Sequence, residues 1–261
     1  MTEIMFAEFL VPALYFCQQA TLTLYASKGR VTGCVVDAGH SAVDIIPVYE
    51  GFVLTHAICQ LKIGGRDITS YLAELLYERG YILSTDSEKE IIQDIKENLC
   101  YVAANYHDEC ESDLHPKKYE MPDGSRVTLC DERFRAPELL FGNQTNTSLG
   151  GKRIAIQESV YEAILKCEPK VQKLLIGSVV LAGGTTLISG FDARLKQDLC
   201  ELSNGTFDRE CVEVVALKGR QYSSWLGGSI IANLATFQHL WITRSKYEEA
   251  GASIVHKKCF F

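Results

Sequence analysis

The sequence is short of long hydrophobic runs. The run Leu174 to Leu181 is broken by Gly177 and Ser178 and falls far below the roughly 18 residues that a membrane span needs. No basic stripe stands out, and a formal net charge of -7 argues against a nucleic-acid backbone as the main partner. The opening segment, Met1 to Cys17, carries Glu3 and Glu8 and no basic leader, so it does not read as a secretion signal. No Cys-x-x-Cys pair and no Cys/His cluster is present, which argues against zinc. The ten cysteines are scattered, the nearest two being Cys100 and Cys110, and this predicts a reducing compartment. Matches to the glycosylation pattern at Asn143, Asn146 and Asn204 are then accidental. The expectation is a soluble, cytoplasmic chain.

What is present is a globular composition. With 261 residues, 47% of them hydrophobic, the chain can build one large or two modest domains. "CVVDAGHSAVDIIPVYEG", Cys34 to Gly51, reads as strand, tight turn and strand, with Asp37, Ala38, Gly39, His40 and Ser41 at the tip. Such a tip can aim several backbone N–H groups at one anion and place Asp37 to reach a metal-bound water. Short Asp/Gly turns are also common in ordinary hairpins, so the residues alone leave both readings open.

Strands alternate with helices along the rest of the chain. Ile68, Tyr71, Leu72, Leu75 and Leu76 recur at helical spacing on one face. Thr85 and Glu88 stand in capping-box spacing before the stripe Ile92, Ile95, Leu99 and Val102. Pro122-Asp123-Gly124 predicts a hairpin that leads into a Pro-started helix. "SVVLAGGTTLISGF" reads as a buried strand, a Gly/Thr turn and a helix, the layout of a nucleoside-binding strand end. "YSSWLGGSIIANLATFQHLW" suggests a second Gly-Gly entry into a helix, and no repeat of 20–50 residues is visible.

Those segments, in that order, resemble actin and the actin-related proteins. The blocks that carry the resemblance are "LYASKGRVTGCVVDAG", "PVYEGF", "GGRDIT", "EIIQDIKENLCYVA", "RFRAPELLF", "LAGGTTLISGF", "YSSWLGGSII" and "FQHLWITRSKYEEAGASIVHKKCF". "RFRAPELLF" leans toward an actin-related protein. The resemblance implies an α/β fold of the ribonuclease H-like hexokinase/chaperone/actin superfamily, two domains around a nucleotide cleft. It implies a complete large domain at 28–222, made of one subdomain at 28–63 and 152–222 and another at 64–151. The stretches 1–27 and 223–261 would be parts of a small domain whose N-terminal block, with the first phosphate hairpin and its lysine, is not among these residues.

For the site, the resemblance implies ATP or ADP with Mg or Ca. Asp37 matches the aspartate that reaches the metal through water, Gly39 a phosphate-cradling glycine, and Gln19 the glutamine that orients the attacking water. Gly65, Lys96, Glu97, Gly184 and Thr185 match nucleotide-contacting positions. The family's second loop acid is His40 here, the next glycine is Ser41, and the water-polarising histidine is Asp44. Gln93, Ile188 and Gln221 replace an arginine, a tyrosine and a base-packing lysine. A histidine cannot hold a hard cation's water shell as a carboxylate does. The family is a slow ATPase, and weak nucleotide binding with little or no hydrolysis is expected of this chain.

For partners, the resemblance implies actin-family or actin-binding proteins and a cytoskeletal location, and an uncovered apolar flank would add self-association. Tyr25, Ala26, Gly51, Leu226, Ile230, Ile231, Leu234 and Leu240 match the lining of a cleft for amphipathic helices. "GNQTNTSLGGKR" matches the filament plug loop but is polar, which disfavours burial between strands. The alternative reading is a non-catalytic actin-fold module that serves as a scaffold. Phe6, Phe9, Leu10, Val11, Leu14, Tyr15, Phe16, Leu22 and Leu24 lie in segments that pack on the small-domain sheet in the family, so an exposed apolar flank is expected there.

Overall fold

A computed structural model of the chain describes residues 1–83, 85–112, 116–142 and 155–259. Its strands are β1 (Ala13–Leu14), β2 (Gly33–Ala38), β3 (Val43–Tyr49), β4 (Phe52–Val53), β5 (Cys59–Leu61), β6 (Lys117–Glu120), β7 (Arg126–Leu129), β8 (Val179–Ala182), β9 (Val214–Val215) and β10 (Ile242–Thr243). The main sheet runs β4-β3-β2-β8-β9, with β5 also paired to β3. β2 lies at its centre, antiparallel to β3 and parallel to β8.

Side chains alternate across that sheet, and each face has its own cover. Val35, Val48, Val180 and Ala182 face Ala20 and Leu24 of the helix Gln19–Ala26. Cys34, Val36, Val179 and Leu181 face the larger cluster on the opposite side. That cluster contains Ile68, Leu72, Leu75 and Leu76 of the helix Gly65–Glu78 and Ile92 and Ile95 of the helix Asp86–Leu99. The two stripes legible in the sequence are therefore the buried faces of these helices. Both starts are capped: Gly64 N–H donates to Asp67 Oδ2 at 2.8 Å, and Thr85 N–H donates to Glu88 Oε2 at 2.7 Å. The Pro122-Asp123-Gly124 hairpin forms as β6 and β7, and the turn after it is a helix at Glu132–Arg135 followed by a 3-10 turn at Pro137–Leu140.

Two expectations are corrected. The Gly-Gly of "SSWLGGS" lies inside the helix Ser223–Ala232 instead of opening it. Gly227 is needed there because a Cβ would run into the carbonyl of Leu22, so two helices touch backbone to backbone. The apolar flank is also narrower than expected. Phe6 packs with Ile242, Ile254, Val255 and Cys259, and β1 pairs with β10, so the first and last segments cover each other. Leu24 is wholly buried on the main sheet, and Val11, Leu14, Tyr15 and Phe16 are partly buried against the Phe6 cluster. Phe9 and Leu10 alone of the large side chains named remain mostly exposed, at 69% and 63%. Apart from Gly142, the polar plug segment, with Asn143 and Asn146, lies outside the described residues. Among the described residues, no helix is long and apolar enough to cross a membrane.

Candidate functional site

The parallel strands β2 and β8 end side by side, Asp37 opposite Ala182, and carboxyl ends of parallel strands are where open α/β sheets bind ligands. β2 turns at residues 39–42, where Gly39 N–H donates to the Ala42 carbonyl at 3.0 Å. The tip docks on the start of the helix Gly65–Glu78: Gly65 N–H donates to the Gly39 carbonyl at 3.0 Å and Arg66 N–H to the His40 carbonyl at 2.8 Å. Gly64 permits this approach, since a Cβ there would stand 2.6 Å from the His40 carbonyl oxygen. Thr185 closes the third side by donating its hydroxyl to the Gly39 carbonyl at 2.9 Å.

Beside the tip opens a cleft of about 500 Å³. Gly65, Gln93, Lys96, Glu97 and Asn98 line it from the two helices, Gly184, Thr185, Leu187, Ile188, Gln221 and Tyr222 from two turns, and His40 from the tip. Of the seven residues that the resemblance assigns to one nucleotide site, Gly65, Lys96, Glu97, Gly184 and Thr185 line this cleft together, and Asp37 and Gly39 do not. It also brings in Gln93, Ile188 and Gln221, the three departures from the family pattern. Asn98, Leu187 and Tyr222 were not anticipated. For all three the signal was available, since each adjoins a residue already singled out, Glu97, Ile188 or Gln221.

The details differ from the expectation in one important way. Lys96 is only 6% exposed, and its ammonium donates to the Gly65 carbonyl at 3.1 Å and the Thr69 hydroxyl at 3.0 Å. Burial lowers its pKa from the ordinary lysine value, with Glu97 opposing the shift. Its first task is to brace the opening turn of the neighbouring helix. Glu97 is exposed and accepts from Gln93 Nε2 at 2.9 Å, an i,i+4 pair on the cleft wall. The Gly/Thr turn has its own clamp, also missed in the sequence. Arg220 donates through Nε to the Thr186 hydroxyl at 2.9 Å and through its terminal nitrogen to the Thr186 carbonyl at 2.5 Å.

Asp37 sits directly opposite Asp44 across β2 and β3, so the two carboxyl groups share one face. Burial, and after it the charge of Asp44, raises the Asp37 pKa. Asp44 in turn accepts from Gln60 Nε2 on β5 at 2.7 Å. A raised pKa means that the folded chain keeps this proton to higher pH than the unfolded chain does. The associated stability is complete below the ordinary aspartate range and is lost as pH rises through the raised value. Asp44→Asn removes the opposing charge and is expected to stabilise the chain by about 0.2–1 kcal/mol at neutral pH. Urea unfolding of both forms, at neutral and mildly acid pH, checks this, and the gain should shrink on the acid side.

Gln19 is exposed at the start of the helix Gln19–Ala26 and does not line the cleft. Of the expected partner surface, Ile231 is buried, Tyr25, Ala26 and Gly51 are half-buried, and Leu226, Ile230, Leu234 and Leu240 are exposed. Among the described residues, no group of three or more His, Cys, Asp or Glu side chains could hold a metal ion directly.

The model of the actin family matches residues 1–260. The chain belongs to the actin family. Actin-family proteins bind ATP or ADP with a divalent metal ion and are typically cytoskeletal. In this actin-like chain the mixed α/β content fits the family fold, and the cleft beside the β2–β3 tip is the candidate for that ligand.

Proposed function

We propose that this chain is an actin-like cytoskeletal protein whose cleft takes the nucleoside part of an adenine nucleotide and grips the phosphates and metal weakly. The single observation that carries this reading is the cleft itself. Its volume of about 500 Å³ lies within the usual range for small-ligand sites, and five of the seven residues expected to touch the nucleotide line it. Gly65 and Gly184 keep it open at two points. A Cβ on Gly65 would stand 2.7 Å from the Thr185 hydroxyl, while Gly184 faces empty space.

The phosphate and metal end supports a weaker grip. The Gly39 amide is spent on the turn, which leaves the His40 and Ser41 amides as the tip's donors among the described residues. Asp37 would act on a cation through water, and a bound cation would hold its carboxyl ionised against the burial that now opposes charge. A nucleotide-bound divalent cation supplies neutralisation of phosphate charge. His40 at the neighbouring acid position adds nothing to that task. The sheet order with β2 central and antiparallel to β3 supports the ribonuclease H-like assignment, and the helices 65–78 and 86–99 with the β6–β7 hairpin fall together in the 64–151 stretch, with a core continuous with that of the sheet.

Calorimetric titration with adenosine, ADP and ADP–Mg tests the reading. All three are expected to bind weakly and within about tenfold of one another, because the phosphates add little. Sub-micromolar ADP–Mg binding would overturn the weak-grip part. Absence of heat with every adenine ligand would overturn the nucleoside site itself and favour a scaffold module. That second reading is supported by the exposed face of Tyr222, Leu226, Ile230 and Leu234, spaced four residues apart.

A further inference from the structure

We infer that Asn204 is a site of spontaneous deamidation, a covalent ageing mark on the surface of this chain at a hollow that shares no lining residue with the candidate cleft. The helix Phe191–Leu202 ends in a tight turn in which Thr206 and Phe207 both donate their amides to the Ser203 carbonyl, at 2.8 and 2.9 Å. Asn204, Gly205 and Thr206 project from that turn into solvent. Gly205 has φ +88° and no atom within 4 Å of where a Cβ would sit. Among the described residues its amide makes no hydrogen bond, so the nitrogen is available to react.

The other described asparagines show by contrast what protects such a group. Asn98 donates its side-chain amide to the Asp94 carbonyl at 3.0 Å, and Asn233 donates to the Ser229 carbonyl at 2.7 Å. Asn105 uses its side-chain oxygen to accept from His107 N–H at 3.0 Å. Each of the three is followed by a bulky residue, Leu99, Leu234 or Tyr106. Asn204 alone of these four precedes a glycine, and no bond holds its side chain among the described residues.

The chemistry needs only water. The Gly205 backbone nitrogen gives its proton to solvent and attacks Cγ of Asn204. The new C–N bond closes a five-membered imide, the Cγ–Nδ2 bond breaks, and ammonia leaves. Water then adds to one of the two imide carbonyls, the bond from that carbon to the ring nitrogen breaks, the nitrogen regains a proton, and aspartate or isoaspartate results. Glycine favours ring closure because it offers no Cβ to obstruct the approach. The product takes the net charge one unit beyond -7 and sets a carboxylate in a hollow of about 350 Å³ that also holds Lys173, Asp208 and Arg209. Two cations face the new acid and one acid opposes it.

The purified chain is held at neutral pH and body temperature, and the peptide between Lys196 and Arg209 is followed by mass spectrometry with isoaspartate detection. Conversion of the Asn204 amide to acid, as a mixture of both isomers and ahead of Asn98, Asn105 and Asn233, is the expected result. Gly205→Ala should slow it by about tenfold or more. Asn204→Gln should remove it while circular dichroism stays unchanged. An amide that survives at Asn204 while the other asparagines convert would overturn the inference. Equal rates in the wild type and Gly205→Ala, or a glycan on Asn204, would overturn it as well.

Discussion

Arg194→Met is expected to cost the fold about 3–5 kcal/mol, the penalty for stripping one partner from a buried ion pair. The guanidinium donates to Glu138 Oε1 at 2.7 Å, with side chains only 8% and 0% exposed. It also reaches the Ala103 carbonyl at 2.8 Å and both Asp198 oxygens at 2.9 and 3.0 Å, and it lies 5.1 Å from the Phe141 ring centre. One side chain thus ties the helix Phe191–Leu202 to the segment after Leu99 and to the turn Pro137–Leu140. Methionine fills similar space but takes the Arg194 charge away from a carboxylate deep in the core. Since a domain's whole stability is about 5–15 kcal/mol, urea unfolding should reveal a large fall in midpoint. Asp198→Asn should cost much less, because burial already pushes the Asp198 pKa up and its charge is poorly favoured. Equal losses in the two variants would show that the Glu138 contact is not the dominant one.

Gly183→Ala is expected to cost about 2–5 kcal/mol and to dislodge Asp37. Gly183 has φ +83°, and a Cβ there would overlap the Ala38 carbonyl and stand 2.5 Å from Asp37 Oδ1. Strain and collision therefore add at one position. Gly184→Ala, one residue on, meets nothing within 4 Å and should leave stability nearly unchanged while narrowing the mouth of the cleft. The pair separates backbone need from ligand access. Unfolding measurements should distinguish Gly183→Ala, and adenosine titration should distinguish Gly184→Ala. A Gly183→Ala variant as stable as the wild type would mean that β2 and β8 can move apart at their ends without penalty.

The elements around the cleft were readable because their signals are local. The stripe Ile68 to Leu76, the part Ile92 to Leu99 of the second stripe and the Thr85–Glu88 cap are local, and the structure reproduces them, whereas Val102 lies beyond the helix, which ends at Leu99. The Gly/Thr turn was equally plain from one buried strand and its glycines. What stayed hidden depends on partners far along the chain. Lys96 is spent on Gly65 and Thr69, which lie about thirty residues earlier, and Arg220 on Thr186, more than thirty residues earlier. The facing of Asp37 and Asp44 is a matter of strand register, which a hairpin sequence leaves undetermined until the turn is known to be Gly39 to Ala42. The Gly227 contact with Leu22 joins helices two hundred residues apart, and from sequence its glycine pair looked like a helix entry.

The docking of the hairpin tip on the helix Gly65–Glu78 also makes a built-in strain gauge. The amides of Gly65 and Arg66 are held by carbonyls of another element, not by their own helix. Any swing of that helix away from the sheet must break both bonds before it disturbs the sheet ladder. In hydrogen–deuterium exchange these two protons would therefore report loosening of this contact directly, apart from global unfolding. A ligand that closes the cleft would slow them together, and one that docks elsewhere would leave them as they were.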